Sequence, residues 1–429
     1  MQTSLRDIAT KAEKDRSYRF RGLYTMLKED FLTFCFRSLN KRSASGVDHI
    51  SAREYGKNLK EHVKKLVGVL KRKSYRAKLV KRRYIPKANG KMRPLGIPAT
   101  EDKLLQLGVK NLLEPIYEQD FLDCSYGYRP NKGARDAVLE AKSKLWGLNY
   151  VVEADIKGFF DAINHEWLEK MLALRVNDRA LLNLIVKWLK AGVLEPEGEI
   201  KSNESGTPQG GIISPLLANV YLHYVLDLWF EKVVKKQVKG KAHMVRYADD
   251  FICMFQYKSD AETFYKNLPK RLGKFDLCVA PDKTKILHFN RWNKDQRFQF
   301  LGFEFYWAKN HKGKDCLYLQ TSSKKLRSAL KNVYEWCKVN RHKKLRWLYA
   351  ELNVKLEGHY QYYGVIGNYR RLSTFYYFVE RSLIKWLNRR SHRKGFTWDR
   401  YKALKQHFKL KRPKITMETK YKDNFQYSF

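Results

Sequence analysis

Residues 243–256 read HMVRYADDFICMFQ. Two adjacent acids, Asp249 and Asp250, interrupt a pair of apolar runs: Val245, Tyr247 and Ala248 lead in, and Phe251, Ile252, Met254 and Phe255 lead out. Both runs are rich in β-forming residues, so the stretch reads as strand, two-residue turn, strand. Tight hairpin turns favour Asn-Gly or Asp-Gly, because their central residues often need positive φ. Asp-Asp is a poor turn and sets two like charges side by side at a strand tip. Taken alone, such a pair is most often solvated surface; the rest of the chain decides whether it is more.

Charge is the strongest bulk signal. The 429 residues hold 86 Lys and Arg against 44 Asp and Glu, a formal net charge of +42. Self-repulsion makes such an excess costly, and the usual compensating partner is a polyanion. With 44% hydrophobic and 14% aromatic residues the chain is expected to fold, in about two to four domains. No apolar run approaches the ~18 residues of a spanning helix. The amino terminus, MQTSLRDIATKAEKDRSYRFR, lacks the apolar core of a secretory signal, and Asp7, Glu13 and Asp15 argue against a transit peptide. The six cysteines, Cys35, Cys124, Cys253, Cys278, Cys316 and Cys337, form no CxxC pair, which excludes the common zinc-ribbon spacings and a disulfide framework. A reducing, bacterial-type cytoplasmic setting and a nucleic-acid partner are expected, with no membrane contact.

Along the chain, residues 1 to about 75 read as basic helices. KANGKMRP carries a hairpin signal at Asn89-Gly90, and a helix is expected over 101–117. NYVVEAD (149–155) reads as a buried strand, followed by a helix from HEWLEKMLAL with Asn164 as its N-cap. Leu181, Leu182, Ile185, Val186 and Leu189 mark one face of a helix over 178–191. GTPQGGIISP is a glycine loop in which Ser214 reads as an N-cap and Pro215 as the first helical residue of a helix running through Leu228. Residues 321–429 hold 27 Lys and Arg against 7 acids, so a domain boundary is placed near 310–320.

Acids at strand ends in a polyanion-binding protein suggest a metal site. Asp155 ends one expected strand and Asp249-Asp250 lie at a hairpin tip. If the hairpin pairs beside that strand, the carboxylates converge on one sheet edge. Mg²⁺ takes one or two carboxylates plus phosphate oxygens and water. Two such ions ~4 Å apart stabilise the attacking and leaving oxygens of a phosphoryl transfer.

The sequence resembles the reverse transcriptases of group II introns, the intron maturases. YADD (247–250) matches their YxDD box, ADIKGFFDAINH (154–165) their first catalytic-aspartate motif, and SGTPQGGIISPLLANVYL (205–222) their substrate loop. IPKANGKMRPLGIP (85–98) and SYGYRPNKGARDAV (125–138) match further motifs in the same order, over about residues 35–310. The resemblance implies an α+β right-hand polymerase: fingers and an antiparallel palm sheet, with an α-helical thumb or maturase (X) domain. It divides the chain into an N-terminal helical extension (1–34), fingers (35–150), palm (151–312), thumb (313–395) and a short basic tail (396–429) that is a candidate DNA-binding segment.

The same resemblance implies roles. Asp155, Asp249 and Asp250, with the carbonyl of Ile156, would hold two Mg²⁺ ions, for which Mn²⁺ is a possible substitute. Phe160 falls at the steric-gate position, where core packing is the plain alternative. Lys87 and Arg93 would hold the triphosphate, Gln209 would contact the incoming nucleotide, and Lys283 would protonate pyrophosphate. FLGF, comprising Phe300, Leu301, Gly302 and Phe303, resembles the primer grip. LNKRSASGVDHIS (39–51) resembles the amino-terminal extension of intron-type enzymes. Residues 352–379 and 384–398 resemble the maturase region, where Arg370, Arg371, Arg389, Arg390, Arg393 and Lys394 are candidate RNA contacts, while Tyr362, Tyr363, Phe375 and Trp386 read as mostly core. Without paired cysteines the chain is expected to lack the zinc-containing nuclease of many relatives. The expected partners are structured RNA such as a group II intron, an RNA template with its DNA primer, dNTPs and target DNA. Two other uses stay open at this level: a domesticated enzyme serving antiphage defence with a dedicated RNA, and a catalytically silent splicing cofactor. The oligomeric state is open as well.

Overall fold

In the computed structural model, residues 2–86, 90, 92–202, 205–390 and 397–416 are described. The chain is α+β and divides into two compact units, Met1–Gly133 with Val152–Ile286, and Ala134–Val151 with Leu287–Phe429. Compactness thus changes between Ile286 and Leu287, whereas the change in composition lies near 310–320; the first follows packing and the second follows charge.

Eleven strands are found among the described residues: β1 (Val80–Pro86), β2 (Met92–Ile97), β3 (Tyr150–Asp155), β4 (Val193–Leu194), β5 (Ile200–Lys201), β6 (Ala242–Tyr247), β7 (Asp250–Phe255), β8 (Lys285–His288), β9 (Phe298–Phe300), β10 (Phe303–Lys309) and β11 (Asp315–Thr321). They form sheets of order β2-β1-β4-β5, β6-β7-β3-β8 and β11-β10-β9. The second sheet carries the candidate site. In it β7 is buried over all but its first residue, and Val151, Val152 and Ala154 of β3 are buried with it. β-Branched and aromatic residues at these positions favour a pleated, buried surface.

Local signals account for the helices that frame this sheet. Asn164 caps His165–Ala173 by accepting from the Trp167 amide at 2.9 Å, and Asp178 caps Arg179–Leu189 by accepting from the Leu181 amide at 3.1 Å. The expected helix over 101–117 extends from Thr100 to Asp120. One cap differs: the helix starts at Ser214, Ile213 stands in the cap position, and the Ser214 hydroxyl donates to the Pro208 carbonyl at 3.0 Å. The helix does run on as expected, but through π-helical turns at His223–Asp227 and Phe230–Val234. Such turns insert an extra residue per turn and often lie near functional sites.

In the second unit, helices Ser323–Asn340, Leu345–Tyr363 and Tyr369–Leu387 share a core that includes Leu348, Leu352, Leu356, Leu372, Phe375 and Leu383. No described helix is long and apolar enough to cross a membrane.

Candidate active site

β7 lies directly between β6 and β3, so the hairpin does sit beside the strand that ends in Asp155. Tyr247 pairs with Asp250 across the hairpin. The connecting residues are therefore Ala248 and Asp249, and Asp250 is the first residue of β7. The expected Asp-Asp turn is shifted by one residue. Ala248 has φ 58°, a left-handed conformation that a side chain disfavours, so its surroundings must hold it there.

The far side of Asp155 is basic. Its carbonyl accepts from the Ala280 amide at 2.8 Å, and Ile156, with its side chain buried, bridges to Val279. This pairing brings in the turn Pro281–Lys283, whose Lys283 ammonium donates to the Asp155 carboxylate. One strand on, Lys285 pairs with Glu153 at 3.1 Å. Dehydration, then the charge of Asp155, raises the Asp249 pKa. Dehydration followed by the charges of Asp155, Asp249 and Glu153 pushes the Asp250 carboxyl up to about 7, although its surface still meets solvent. The hydrogen bond to Asp155 raises the Lys283 pKa.

Three carboxylates thus share one electrostatic field, answered on one side by lysine. Among the described residues no three acidic, histidine or cysteine side chains form a ready ligand set. The donors still fit a hard divalent cation, because such ions accept a partial set of carboxylates and complete it with phosphate and water. Unfavourable carboxylate charge is what a cation there would relieve.

A second group of residues flanks this edge. Phe160 is buried at 7% exposure on the short helix Phe159–Ala162, and its carbonyl accepts from the Thr207 amide at 2.7 Å. The glycine loop is thereby tied to that helix. Gln209 bridges two elements: its side-chain oxygen accepts from Arg93 Nε at 3.0 Å and its amide donates to Asp161 at 3.4 Å. A Cβ on Gly210, which has φ +124°, would lie 2.6 Å from the Gly96 carbonyl oxygen; glycine permits that approach. Beside these residues is a cavity of about 640 Å³ lined by Arg82, Tyr84, Asp161, Gly206 and Thr207 among others. Lys87 lies outside the described residues. Asp161 was not anticipated, although its position next to Phe160 in the GFFDAINH run was a usable signal.

In the second unit, Phe300 and Phe303 pair across a tight turn whose Leu301 and Gly302 have φ 50° and 83°. Tyr362 donates its hydroxyl to the Leu301 carbonyl at 2.9 Å and stacks on Phe303. Tyr362 is 38% exposed, whereas Phe375 and Trp386 are core as expected. Arg370 is exposed. Exposed Arg389 lies over the Trp386 ring, with 5.4 Å between guanidinium and centroid. Arg371 reaches Gln320 and Ser323, and Arg390 donates to the carbonyls of Arg341 and Lys343, so both are partly engaged within the protein. Arg393 and Lys394 lie outside the described residues.

Strand-end carboxylates, an adjacent lysine and a glycine loop carrying a bridging glutamine together suit nucleotidyl chemistry, and the comparison with known families agrees. Residues 85–305 match the reverse transcriptase (RNA-dependent DNA polymerase) family, and the chain belongs to it. It is 29% identical over 464 residues to the group II intron-encoded protein LtrA of Lactococcus lactis subsp. cremoris, covering 89% of this chain and 76% of that protein. It is 32% identical over 333 residues to protein YkfC of Escherichia coli strain K12, covering 69% of this chain and 86% of that one. An uncharacterised 91 kDa protein in the cob intron of Schizosaccharomyces pombe is 26% identical over 392 residues, covering 75% of this chain and 48% of that protein.

Proposed function

We propose that the protein is an RNA-directed DNA polymerase of group II intron type, which copies RNA into DNA at the edge formed by Asp155, Asp249 and Asp250 and binds intron RNA through its basic carboxy-terminal helices. The observation that carries this reading is the pairing of β7 beside β3, which sets the Asp249-Asp250 step next to Asp155. On this reading the two glycine-loop-linked elements are fingers and palm, and the helices after 320 are the thumb. The partners are an RNA template with a DNA primer, dNTPs, intron RNA and target DNA.

In the reaction, the primer 3′-oxygen forms a bond to the α-phosphorus of a dNTP while the bond to the β-phosphate oxygen breaks and pyrophosphate leaves. Asp155, Asp249, Asp250 and the Ile156 carbonyl would hold divalent cations, Mg²⁺ with Mn²⁺ as a possible substitute. When bound, these supply Lewis acidity for the 3′-hydroxyl and neutralise charge on the departing phosphates. Arg93, with Lys87, holds the triphosphate, and Gln209 orients the nucleotide. Phe160 closes the space a 2′-hydroxyl would need. Lys283, held protonated beside the carboxylates, donates a proton to pyrophosphate. The protein contributes mainly position and charge.

The test is dNTP incorporation on an RNA template with an annealed DNA primer, comparing wild type with Asp249→Ala/Asp250→Ala. Extension by wild type in Mg²⁺ and a loss of roughly 10³-fold or more in the variant is expected, with no fall in melting temperature, since two repelling carboxylates are removed. A wild type that is inert across metals and templates yet binds RNA tightly would overturn the reading in favour of a silent RNA-binding cofactor.

A further inference from the structure

Arg246 is a fully buried side chain at 0% exposure, and so is the Asp227 it pairs with. Buried arginine is rare unless paired, and here every hydrogen bond of the guanidinium has a consequence. Nε donates to Asp227 Oδ1 at 2.7 Å and Nη2 to Asp227 Oδ2 at 2.5 Å. Nη2 also donates to Ser125 Oγ at 2.7 Å, and Nη1 donates to Asn219 Oδ1 at 3.0 Å. The remaining bond runs from Nη1 to the Ala248 carbonyl, also at 3.0 Å. That carbonyl belongs to the left-handed residue of the Ala248-Asp249 connection.

The backbone beside it is equally constrained. The Arg246 amide donates to the Cys124 carbonyl at 2.7 Å, and its carbonyl accepts from the Tyr126 amide at 2.9 Å. Asn219 also donates to the Gly127 carbonyl at 2.7 Å. A Cβ on Gly127 would stand 2.4 Å from the Ala248 nitrogen, so that segment presses its bare backbone against the turn. Asp227 ends a π-helical turn, His223–Asp227. Elements from three distant parts of the sequence therefore meet at one guanidinium, three residues before the first of the two acids.

A buried ion pair is seldom the most stable solution: apolar residues of similar volume often serve stability as well or better. Its value lies in directing hydrogen bonds. We propose that Arg246, clamped by Asp227, Asn219 and Ser125, is a positioning residue that locks the Ala248 carbonyl and thereby aims Asp249 and Asp250 at Asp155. This rests on the reading of Asp249 and Asp250 as the catalytic pair. Arg246 touches neither substrate nor metal; it acts through the turn.

The decisive variant is Arg246→Met/Asp227→Leu, which removes both charges together and leaves no unpaired ion. Gly127→Ala is its companion: it perturbs the same turn by contact and leaves the ion pair in place. Arg246→Lys keeps a charge for Asp227 but lacks the fork needed to reach Ala248 as well. Each is measured for melting temperature, for kcat and KM with dNTP, and for binding of terbium(III) by tyrosine-sensitised luminescence. The signal of Asp249→Ala/Asp250→Ala is subtracted as the blank.

The expected result for the double variant is a melting temperature near wild type and a KM within about threefold. Its kcat should fall about 10²-fold, as a small misplacement of reacting groups costs, with terbium affinity about tenfold weaker. Gly127→Ala should show the same split, and Arg246→Lys should stay folded while its kcat falls as in the double variant. A folded double variant with wild-type kcat and terbium affinity overturns the inference and leaves the polymerase reading intact. An inactive wild type overturns that reading instead, and the terbium titration still decides whether Arg246 aims the turn. If the double variant does not fold, Gly127→Ala decides: unchanged kcat and terbium binding there sink the proposal.

Discussion

The two units use charge in opposite ways. The first buries it: Arg246 with Asp227 at 0% exposure on both sides, and Arg175 with Asp120 at 3% and 9%. Arg129 with Glu118 is nearly as enclosed on the arginine side. The guanidinium of each of these arginines also reaches main-chain carbonyls, of Ala248, Ala12 or Leu122. The second unit is built on a core of leucines and aromatic rings, and its ion pairs keep the cation exposed, as in Lys411 with Glu357, Lys402 with Asp399 and Lys405 with the buried Glu380. With 7 acids against 27 basic residues from 321 onward, most of its cations have no acid to pair with. Buried charge fixes geometry where a turn must be aimed; packing leaves cations outside, where a polyanion can use them.

That contrast breaks first in the core. Leu356→Ala empties a position at 0% exposure in the second unit and is expected to cost about 3 kcal/mol, read as a fall in denaturation midpoint. RNA affinity should fall only as folded protein is lost, while nucleotide KM of the folded fraction stays put. If Leu356→Ala instead raised that KM severalfold with folding intact, the second unit would be shaping the nucleotide site and the division of labour argued above would be wrong.

Acid response sharpens the contrast next. Burial pushes two histidines down to about 4, one in each unit: His223, near Asp227 and Arg246, and His359, stacked on Phe375 at 3.9 Å. The ordinary value is 6.5, so the unfolded chain binds the proton first. Stability from each neutral ring is complete above pH 6.5 and is lost as pH falls through 4. His359 Nε2 has no hydrogen-bond partner among the described residues, so phenylalanine forfeits none of the bonds seen there. His359→Phe should match wild type at pH 8 and exceed it by about 2 kcal/mol at pH 5, measured by urea unfolding. Equal curves at both pH values would mean that the ring is not held neutral by burial.

How much of this was visible in the sequence depends on the range of the interaction. β3, the hairpin, the Asn164 cap and the helix after Asp178 were legible because each is set by neighbours a few residues away. The turn was misread by one residue because Ala248 has no local reason to adopt φ 58°; the reason is a hydrogen bond from a buried arginine and the bare backbone of Gly127. The π turns were invisible for a like cause, since an apolar helix pattern does not show an inserted residue. Arg246 did leave a trace: a charge inside the run MVRYA must find a partner or cost several kcal/mol, and Asp227 inside VLDLWF is the matching anomaly. Pairing the two needed the fold. Among the surface arginines, composition identified the basic region but could not separate exposed Arg370 from Arg371, which leans on Gln320 and Ser323.

The smallest expected effect tests that last distinction. Arg370, Arg389 and Arg390 are all exposed, but Arg390 donates to two main-chain carbonyls. A free arginine on a phosphate releases counterions, and each lost contact flattens the dependence of log affinity on log salt by roughly 0.7 to 0.9. Arg370→Gln/Arg389→Gln should therefore weaken binding to a structured RNA severalfold at low salt and flatten that slope by about 1.5. Its melting temperature should hold, because neither side chain is buried. Arg390→Gln should do the reverse, costing some stability through the lost carbonyl contacts and changing the slope little. If Arg390→Gln flattened the slope and the Arg370/Arg389 pair did not, the bonded guanidinium would be the one RNA captures. Engagement with main-chain carbonyls would then be the wrong guide to where this surface meets its polyanion.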